Sequence, residues 1–523
     1  MTAQSDLRDI PFLDLSRFTI DPALIKLIPE NLARRYSLIP LARLGKVLTV
    51  AMADPSNLMT RDALRALTGL RIEVVLASPG DISTAIDRYY GSEKALDDFF
   101  SETGEEEIET KALKEEPLAT AMADIIEVVK EAPVVKLVDY ILMEAVKAKA
   151  SDILIEPLER TLRVRYRQDG ILKERETPPK TMQQAIVSRL KVMSQLNIAE
   201  RRLPQDGRFK ARVSGREVDF RISVVPSTFG EKVAVRILDK KQLRLNVDEL
   251  GFEKREIEII KQCSRRPYGF ILICGPTGCG KTTTLYSILK FIDSPEKNLV
   301  TVEDPVEYEL EGINQVTSRP DIGLSFANAL RSILRQDPNV IMVGEIRDLE
   351  TVDMAIKSAL TGHLVLSSLH TTDAIGSITR LIDMGVEPFL ITSSLLMVGA
   401  QRLVRKICPN CLETYSLSAE ALKKIRLDPG RFAKTSFSRG KGCKFCQNTG
   451  YSGRTSIIEV LAMDEEINGL IFKKAPDAEI RNVAQKKGMV SLRENGLKKA
   501  VAGITTLEEV IRVTTGDHDQ AFD

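Results

Sequence analysis

Residues 269–282 read Gly-Phe-Ile-Leu-Ile-Cys-Gly-Pro-Thr-Gly-Cys-Gly-Lys-Thr, and no other stretch restricts the fold of this chain as tightly. Ile271, Leu272 and Ile273 form the short apolar run expected of a buried parallel strand. The run empties into a loop that fits G-x-x-x-x-G-K-[ST], and the residues from Thr282 to Tyr286 then open a helix. Glycines in such a loop let successive backbone N–H groups turn inward around phosphate oxygens, and the helix N-terminus adds positive potential. Gly275, Pro276, Thr277, Gly278, Cys279 and Gly280 would make the cradle, continued by Thr283. Lys281 can reach the β- and γ-phosphates, and the Thr282 hydroxyl is placed to ligate Mg²⁺. Strand, loop and helix arrive in the order that a nucleoside-triphosphate site requires.

At 523 residues the chain has room for three or four domains, each with a core. Hydrophobic residues make up 43% and charged residues 28%, the balance of a soluble globular protein. The net charge of +1 gives no global electrostatic case for nucleic acid. No apolar run approaches the roughly 20 residues of a membrane span, and no signal-peptide pattern opens the chain. The expectation is a cytoplasmic protein that meets a membrane only through partners. In that compartment the seven cysteines fit reduced thiols or metal ligands better than disulfides.

Residues 1–90 read as a small N-terminal α/β domain, to which the family resemblance described below assigns partner binding, with strands at 48–53 and 71–77 and helices near 57–67 and 81–89. Glu102, Glu105, Glu106, Glu107, Glu109, Glu115 and Glu116 then crowd a stretch with few apolar anchors. Residues 91–130 therefore read as a flexible acidic linker. Residues 131–243 read as an α+β domain. Val134, Val138, Ile141, Leu142 and Ala145 recur at helical spacing, a second helix covers about 182–196, and short alternating strands lie between and after them. Arg208, Arg221 and Arg236 fall at or near these strands, where the residues alone allow ordinary exposed side chains.

Residues 244–405 hold the P-loop core. Beyond its helix, the strand-like run 299–302 ends in Glu303, Asp304 and Glu307, and the run 340–343 ends in Glu345. Carboxylates at the carboxyl ends of buried strands stand where α/β sheets bind ligands, and one can hold Mg²⁺ or orient an attacking water. His363 and His370 bracket the run 364–369, and Arg331 and Arg335 lie four apart on one helix face. Cys408-Pro-Asn-Cys411 and Cys443-Lys-Phe-Cys446, in residues 406–455, are two C-x₂-C knuckles separated by residues 412–442. Together they can close a tetrahedral S₄ zinc site, against the alternative of a redox pair or unpaired thiols. Residues 456–523 read as two or three helices and a frayed tail, and Cys263 and Cys274 as core residues.

Five motifs occur in order: residues 275–282, 301–307, 330–337, 343–348 and 361–371. They resemble the Walker A, Asp box, arginine, Walker B and His box motifs of the secretion ATPase superfamily, which serves type II secretion, type IV pilus assembly and DNA-uptake pseudopili. Upstream, residues 150–153, 200–208 and 226–232 are similar to its PAS-like half, so the resemblance spans about 20–515. It implies an α/β architecture: a small N-terminal α/β domain, a PAS-like α+β domain, then a RecA-like P-loop motor with an inserted tetracysteine zinc module.

The resemblance also implies roles. ATP would sit between the PAS-like half of one subunit and the motor of a neighbour in a homo-hexamer. Glu345 would be the catalytic Walker B glutamate, with Glu303, Asp304 and Glu307 supporting Mg²⁺ and water. His370 would sense the γ-phosphate, and His363 would be structural. Arg221, Arg236, Arg331 and Arg335 match nucleotide-reaching arginines, and Arg208 is a weaker match. Zinc is favoured because secretion and pilus-extension relatives carry the tetracysteine module. The chain departs from its relatives at Cys279, commonly serine, and Leu154, commonly histidine. A thiol beside Lys281 and a helix N-terminus is expected to have a lowered pKa and to be oxidisable. Arg43-Leu44-Gly45 matches a fragment of a cyclic di-GMP motif, but the strand-like 47–52 that follows argues against such binding.

The function expected is a hexameric Mg-ATPase powering pseudopilus assembly for type II secretion, held at the inner membrane by a platform protein and an adaptor. Type IV pilus extension is the alternative. A nucleic-acid translocase is the distant one, disfavoured by neutral charge and the absence of tryptophan. A ring that binds nucleotide without turnover is disfavoured by the presence of Lys281, Glu345 and the arginines.

Overall fold

The apolar run before the P-loop is a strand, Gly269–Cys274, buried at every position. It lies inside a seven-stranded sheet ordered Asn314–Thr317, Leu299–Glu303, Val340–Val343, Leu364–Leu369, Gly269–Cys274, Leu395–Ile407 and Tyr451–Ala462. All neighbours run parallel except the last pair. A parallel sheet needs cover on both faces, and alternate residues supply it. Phe270, Leu272 and Cys274 join a cluster with Val352, Ile356 and Ile375. Ile271 and Ile273 join another with Leu285 and Ile288 of the P-loop helix Lys281–Ile292. The result is a three-layer α/β motor whose first four buried strand ends open on one edge. This computed structural model describes residues 13, 15, 20, 22–25, 27–55, 57–89, 109–110, 132–175, 177–213, 215–239, 245–425, 427–432 and 435–515.

Besides the short edge strand Asn314–Thr317, two long strands of this sheet were not anticipated. Leu395–Ile407 and Tyr451–Ala462 pair antiparallel over most of their length, from Met397 opposite Ala462 to Ile407 opposite Tyr451. Their pairing joins segments more than 40 residues apart, which local periodicity does not reveal. Between them are the cysteine knuckles, a hairpin of Leu412–Ser416 with Ser436–Gly440, and the helix Ala419–Lys424. Four helices follow rather than two or three: Glu465–Phe472, Asp477–Lys486, Leu492–Val501 and Leu507–Thr514. The expected tail at 516–523 lies outside the described residues.

Upstream, the middle region is a seven-stranded antiparallel sheet. Its order is Glu109–Thr110, Gln205–Val213, Arg216–Ser227, Gly230–Leu238, Asp152–Pro157, Leu162–Gln168 and Ile171–Glu174. Helices Ala132–Lys147 and Gln183–Met193 cover one face, and Tyr166 donates from beneath them to Ile141 O at 2.8 Å. Glu109–Thr110, in the expected linker, forms the edge strand, and the rest of 91–130 lies outside the described residues. The N-terminal region has the two expected strands, Val47–Met52 and Arg71–Leu76, and pairs them parallel. It adds an unanticipated strand, Leu38–Leu44, which turns back through Gly45 at φ 60°. Its helix Leu58–Thr68 starts where Asn57 accepts from Thr60 N and stops at left-handed Gly69.

The last helix is tied to the motor sheet by one buried carboxylate. Glu509 accepts from Arg405 N at 3.1 Å, Arg405 Nη2 at 2.7 Å and Arg512 Nε at 2.9 Å. Burial alone would raise its pKa, but these donors outweigh burial and hold it at about 2. Its contribution is therefore complete above the ordinary value of 4.5 and is lost as pH falls toward 2. Glu509→Gln is expected to destabilise the motor by about 3 kcal/mol at neutral pH, because it leaves the buried Arg405 unpaired. Denaturant unfolding across pH should show the difference shrinking through that window.

Candidate nucleotide site

The loop from Gly275 to Gly280 has left-handed backbone at Gly278 (φ 78°) and Gly280 (φ 92°). Such a loop bends its N–H groups inward and cannot be held by helix or strand hydrogen bonds. A side chain holds it instead. Gln401, 1% exposed on Leu395–Ile407, donates from Nε2 to Cys279 O at 3.0 Å and accepts from Thr284 Oγ1 at 2.7 Å. A Cβ at Gly275 would stand 2.6 Å from Gln401 O, so only glycine fits between strand and loop. Lys281 lies across the cradle and donates to Gly275 O at 2.9 Å and Pro276 O at 3.2 Å. Burial lowers its pKa, opposed by the nearby Glu345 carboxylate.

Three strand ends bring the remaining groups together. His370 Nε2 lies 3.0 Å from Glu345 Oε2, Arg347 pairs with the other Glu345 oxygen, and Arg347 Nη1 stands 3.8 Å from Asp304 Oδ2. Glu303 is different. It is 3% exposed and accepts from Tyr286 OH, from Thr301 Oγ1 at 2.6 Å and from Gln315 Nε2 at 3.1 Å. Burial raises its pKa. Its oxygens are occupied inside the fold, which ties the Asp-box strand to the P-loop helix. His363 Nδ1 bonds Ser358 O at 2.9 Å, closing the end of the preceding helix.

The middle sheet brings up a row of charge. Arg208 is paired with Arg221, Arg221 with Arg236, Arg236 with Asp152 and Asp152 with Arg167, all opposite one another across adjacent strands. Directly paired residues share a face, and like charges there repel. Asp152 relieves part of this, at 3.2 Å from Arg167 Nε and 3.3 Å from Arg236 Nε. Arg236 Nη1 also reaches Glu307 Oε1 of the same chain at 3.9 Å. Arg331 and Arg335 stand apart from this row. Arg331 donates to Asn328 Oδ1 at 2.7 Å and to Glu350, whereas Arg335 lies beyond the end of helix Phe326–Ile333 and donates to Arg331 O.

Cys279 corrects an expectation. Burial raises its thiol pKa, and the charges of Lys281 and Arg402 oppose this without reversing it. At 3% exposure the thiol lacks both the access and the thiolate character that oxidation needs. The cysteine knuckles do converge. Cys408 and Cys443 sulfurs are 3.8 Å apart, Cys411 and Cys446 3.8 Å, and Cys443 and Cys446 3.7 Å. Four sulfurs at about 2.3 Å from a tetrahedral Zn²⁺ would stand about 3.8 Å apart, so this donor set fits that ion. Backbone N–H groups of Cys443 and Gly450 point at Cys446 Sγ, at 3.2 and 3.3 Å. Sequence reasoning missed Gln401 and gave Arg347 no role. For Arg347 the signal was a basic residue inside an acidic motif; for Gln401 there was none, because its strand was not recognised.

A family model described as type II/IV secretion system protein matches residues 127–512, and one described as an MshEN domain matches residues 8–96. The chain is 46% identical over 511 residues to the type IV pilus assembly ATPase PilB of Myxococcus xanthus, across 97% of this chain and 89% of that protein. It is 42% identical over 516 residues to type II secretion system protein E of Xanthomonas campestris pv. campestris, across 98% and 89%. The solved structure of the Legionella pneumophila ATPase DotB gives a TM-score of 0.52 at 21% identity, covering 72% of this chain and 96% of that one, a likeness of fold.

Gln401→Leu keeps the side-chain volume but leaves Cys279 O and Thr284 Oγ1 without their partner, at a cost of about 1–3 kcal/mol each. The expected result is a lower thermal midpoint and weaker nucleotide binding; unchanged values for both would show that the loop needs no prop.

Proposed function

The chain belongs to the type II/IV secretion system protein family, and from that premise we propose that it is an Mg-ATP-hydrolysing ring motor driving pseudopilus assembly for type II secretion. The observation that carries the reading is the convergence of Lys281, Glu345, His370 and Asp304 at neighbouring strand ends above a propped phosphate loop. The Myxococcus xanthus PilB match favours pilus extension as the second reading. Loss of exported proteins or loss of surface pili in a deletion strain separates the two.

In this reading the loop amides and Lys281 hold the phosphates, and Thr282 with Asp304 would hold Mg²⁺, which supplies charge neutralisation at the transferring phosphoryl group. Glu345 orients the attacking water and accepts its proton, with His370 and Arg347 fixing the carboxylate. Thr283 continues the cradle, and Glu303 acts from beneath by positioning the Asp-box strand. Arg221 and Arg236 supply positive charge at the phosphates, with Arg208 at the end of their row. The contact of Arg236 with Glu307 in the same chain supports delivery to the chain's own nucleotide, in place of the neighbour's site that the resemblance implies. Arg331, exposed on helix Phe326–Ile333, and Arg335, exposed just beyond its end, are assigned to the contact between ring neighbours. Cys408, Cys411, Cys443 and Cys446 would hold a structural zinc. A homo-hexamer, a platform protein and an adaptor at the inner membrane complete the proposal, with 1–90 as the docking region.

Turnover is expected in a hexamer-sized fraction of a sizing column and to fall at least about 100-fold in Glu345→Ala. Equal turnover in monomer fractions would remove the ring from the mechanism. An equimolar mixture of Arg236→Ala and Lys281→Ala chains should stay inactive, because each chain lacks part of its own site; recovery on mixing would place Arg236 on the neighbour's nucleotide. Metal analysis should give one zinc per chain, and none in Cys443→Ser.

A further inference from the structure

Consecutive residues of a strand face opposite sides of its sheet, and on Leu395–Ile407 the two sides do different work. Gln401 faces the P-loop helix, as does Met397, which shares a cluster with Leu285 and Ile288. Arg402 faces the other side with Ala400 and Val404, which belong to the cluster of Val352 and Ile375. It is a guanidinium, 8% exposed, on a face where its strand neighbours are apolar. Burying such a group is costly unless its N–H groups find acceptors. Nη1 donates to Gln401 O at 3.1 Å, and Nη2 donates to Thr372 O at 2.6 Å. Gln401 O is the atom that excludes a side chain at Gly275, and a Cβ there would also stand 3.4 Å from Arg402 Nη1. The guanidinium thus lies between the mouth of the phosphate loop and the segment that follows His370.

Residues 370–373 join strand Leu364–Leu369 to helix Ala374–Asp383 and belong to neither. Both ends of this link are fixed. Upstream, Leu369 lies opposite Cys274, and its carbonyl accepts from Gly275 N at 3.2 Å. Downstream, Asp373 caps the helix by accepting from Gly376 N at 3.0 Å and also accepts from Arg481 Nη2 at 2.8 Å. Ala374 N donates to Glu459 Oε1 at 3.2 Å. His370 and Thr372 lie between these anchors, both exposed, and Arg402 takes the Thr372 carbonyl. A planar fork reaches two carbonyls at once in a fixed geometry, which an ammonium on a flexible stem does not.

We propose that Arg402 is a positioning residue: by holding Thr372 O and Gln401 O together, it sets His370 where it meets Glu345 beside the phosphate loop. The inference rests on the reading of Glu345 and His370 as the reacting end, and it adds a residue that none of the five sequence motifs contains. His370 Nε2 stands 3.0 Å from Glu345 Oε2, a contact that tolerates little displacement. Release of Thr372 O lets the exposed link shift and turns the imidazole away from the carboxylate, while Lys281 and the loop amides keep the phosphates. Arg402 touches neither phosphate nor water in this scheme and acts through His370.

The test is steady-state ATP hydrolysis by the full chain, with ADP affinity by calorimetry and thermal midpoint measured on the same samples. The variants are Arg402→Lys, Arg402→Gln, His370→Ala and the double variant Arg402→Lys/His370→Ala. Arg402→Lys is expected to lower kcat at least about tenfold, the scale of a sub-ångström misplacement at a reacting centre, with ADP affinity within about twofold of wild type. Arg402→Gln, which also removes the charge, should lose at least as much. The double variant should turn over no more slowly than His370→Ala alone, because both changes remove the same alignment. Losses that multiply in the double variant would overturn the proposal, since Arg402 would then act apart from His370. Equal losses of kcat and ADP affinity would overturn it in favour of a role in shaping the phosphate loop. An unchanged kcat in both Arg402 variants would overturn it outright, and failure of both to fold would make the arginine a requirement of the fold and overturn it too. If wild type does not turn over, or His370→Ala matches it, the assignment of the reacting end itself fails, an outcome distinct from the others.

Discussion

A loop of left-handed glycines between a buried strand and a helix has no regular hydrogen bonding to hold it, and the motor is arranged around that constraint. The buried amide of Gln401 meets it by taking the Cys279 carbonyl and the Thr284 hydroxyl at once. That position requires the strand Leu395–Ile407 to lie beside Gly269–Cys274, and that strand is in turn covered by Tyr451–Ala462. The outer strands of the sheet thus keep the phosphate cradle in shape, in addition to closing the core.

Charge is arranged by register. The antiparallel ladders place Arg208, Arg221 and Arg236 opposite one another, an arrangement that is unfavourable without nearby anions. Asp152 and Glu307 balance it in part, and a phosphorylated ligand would balance it further. On the motor side, the carboxylates divide by burial. Glu345 and Asp304 stand at the open edge under Arg347, whereas Glu303 is enclosed with three donors and serves the fold.

What could be read from the residues was whatever depends on local order. The P-loop, the apolar strands of the motor and the paired cysteines each announce themselves within about ten residues, and all appear where local chemistry puts them. What escaped depends on distant pairing. Leu38–Leu44 carries Pro40 and Arg43, and Tyr451–Ala462 opens with Gly453 and Arg454, so neither shows a clean alternation; each is a strand because of its partner. Gln401 had no signal for the same reason. The opposite error came at Cys279, where neighbouring charge suggested a reactive thiol and burial, invisible in a sequence, decides otherwise. Arg331 and Arg335 match a motif, but a helix that ends at Ile333 does not set them on one face.

The cysteine knuckles are not an appendage of the motor. Residues 408–450 are spliced between two strands of its own sheet, and the first of these, thirteen residues long, extends for roughly 43 Å as a hydrogen-bonded ribbon. Gln401 lies near its middle and Cys408 just beyond its end. The ribbon is paired on both sides as far as Ala400 and by Tyr451–Ala462 alone from there to Ile407, so the knuckles are joined to the phosphate loop through a single antiparallel pair of strands.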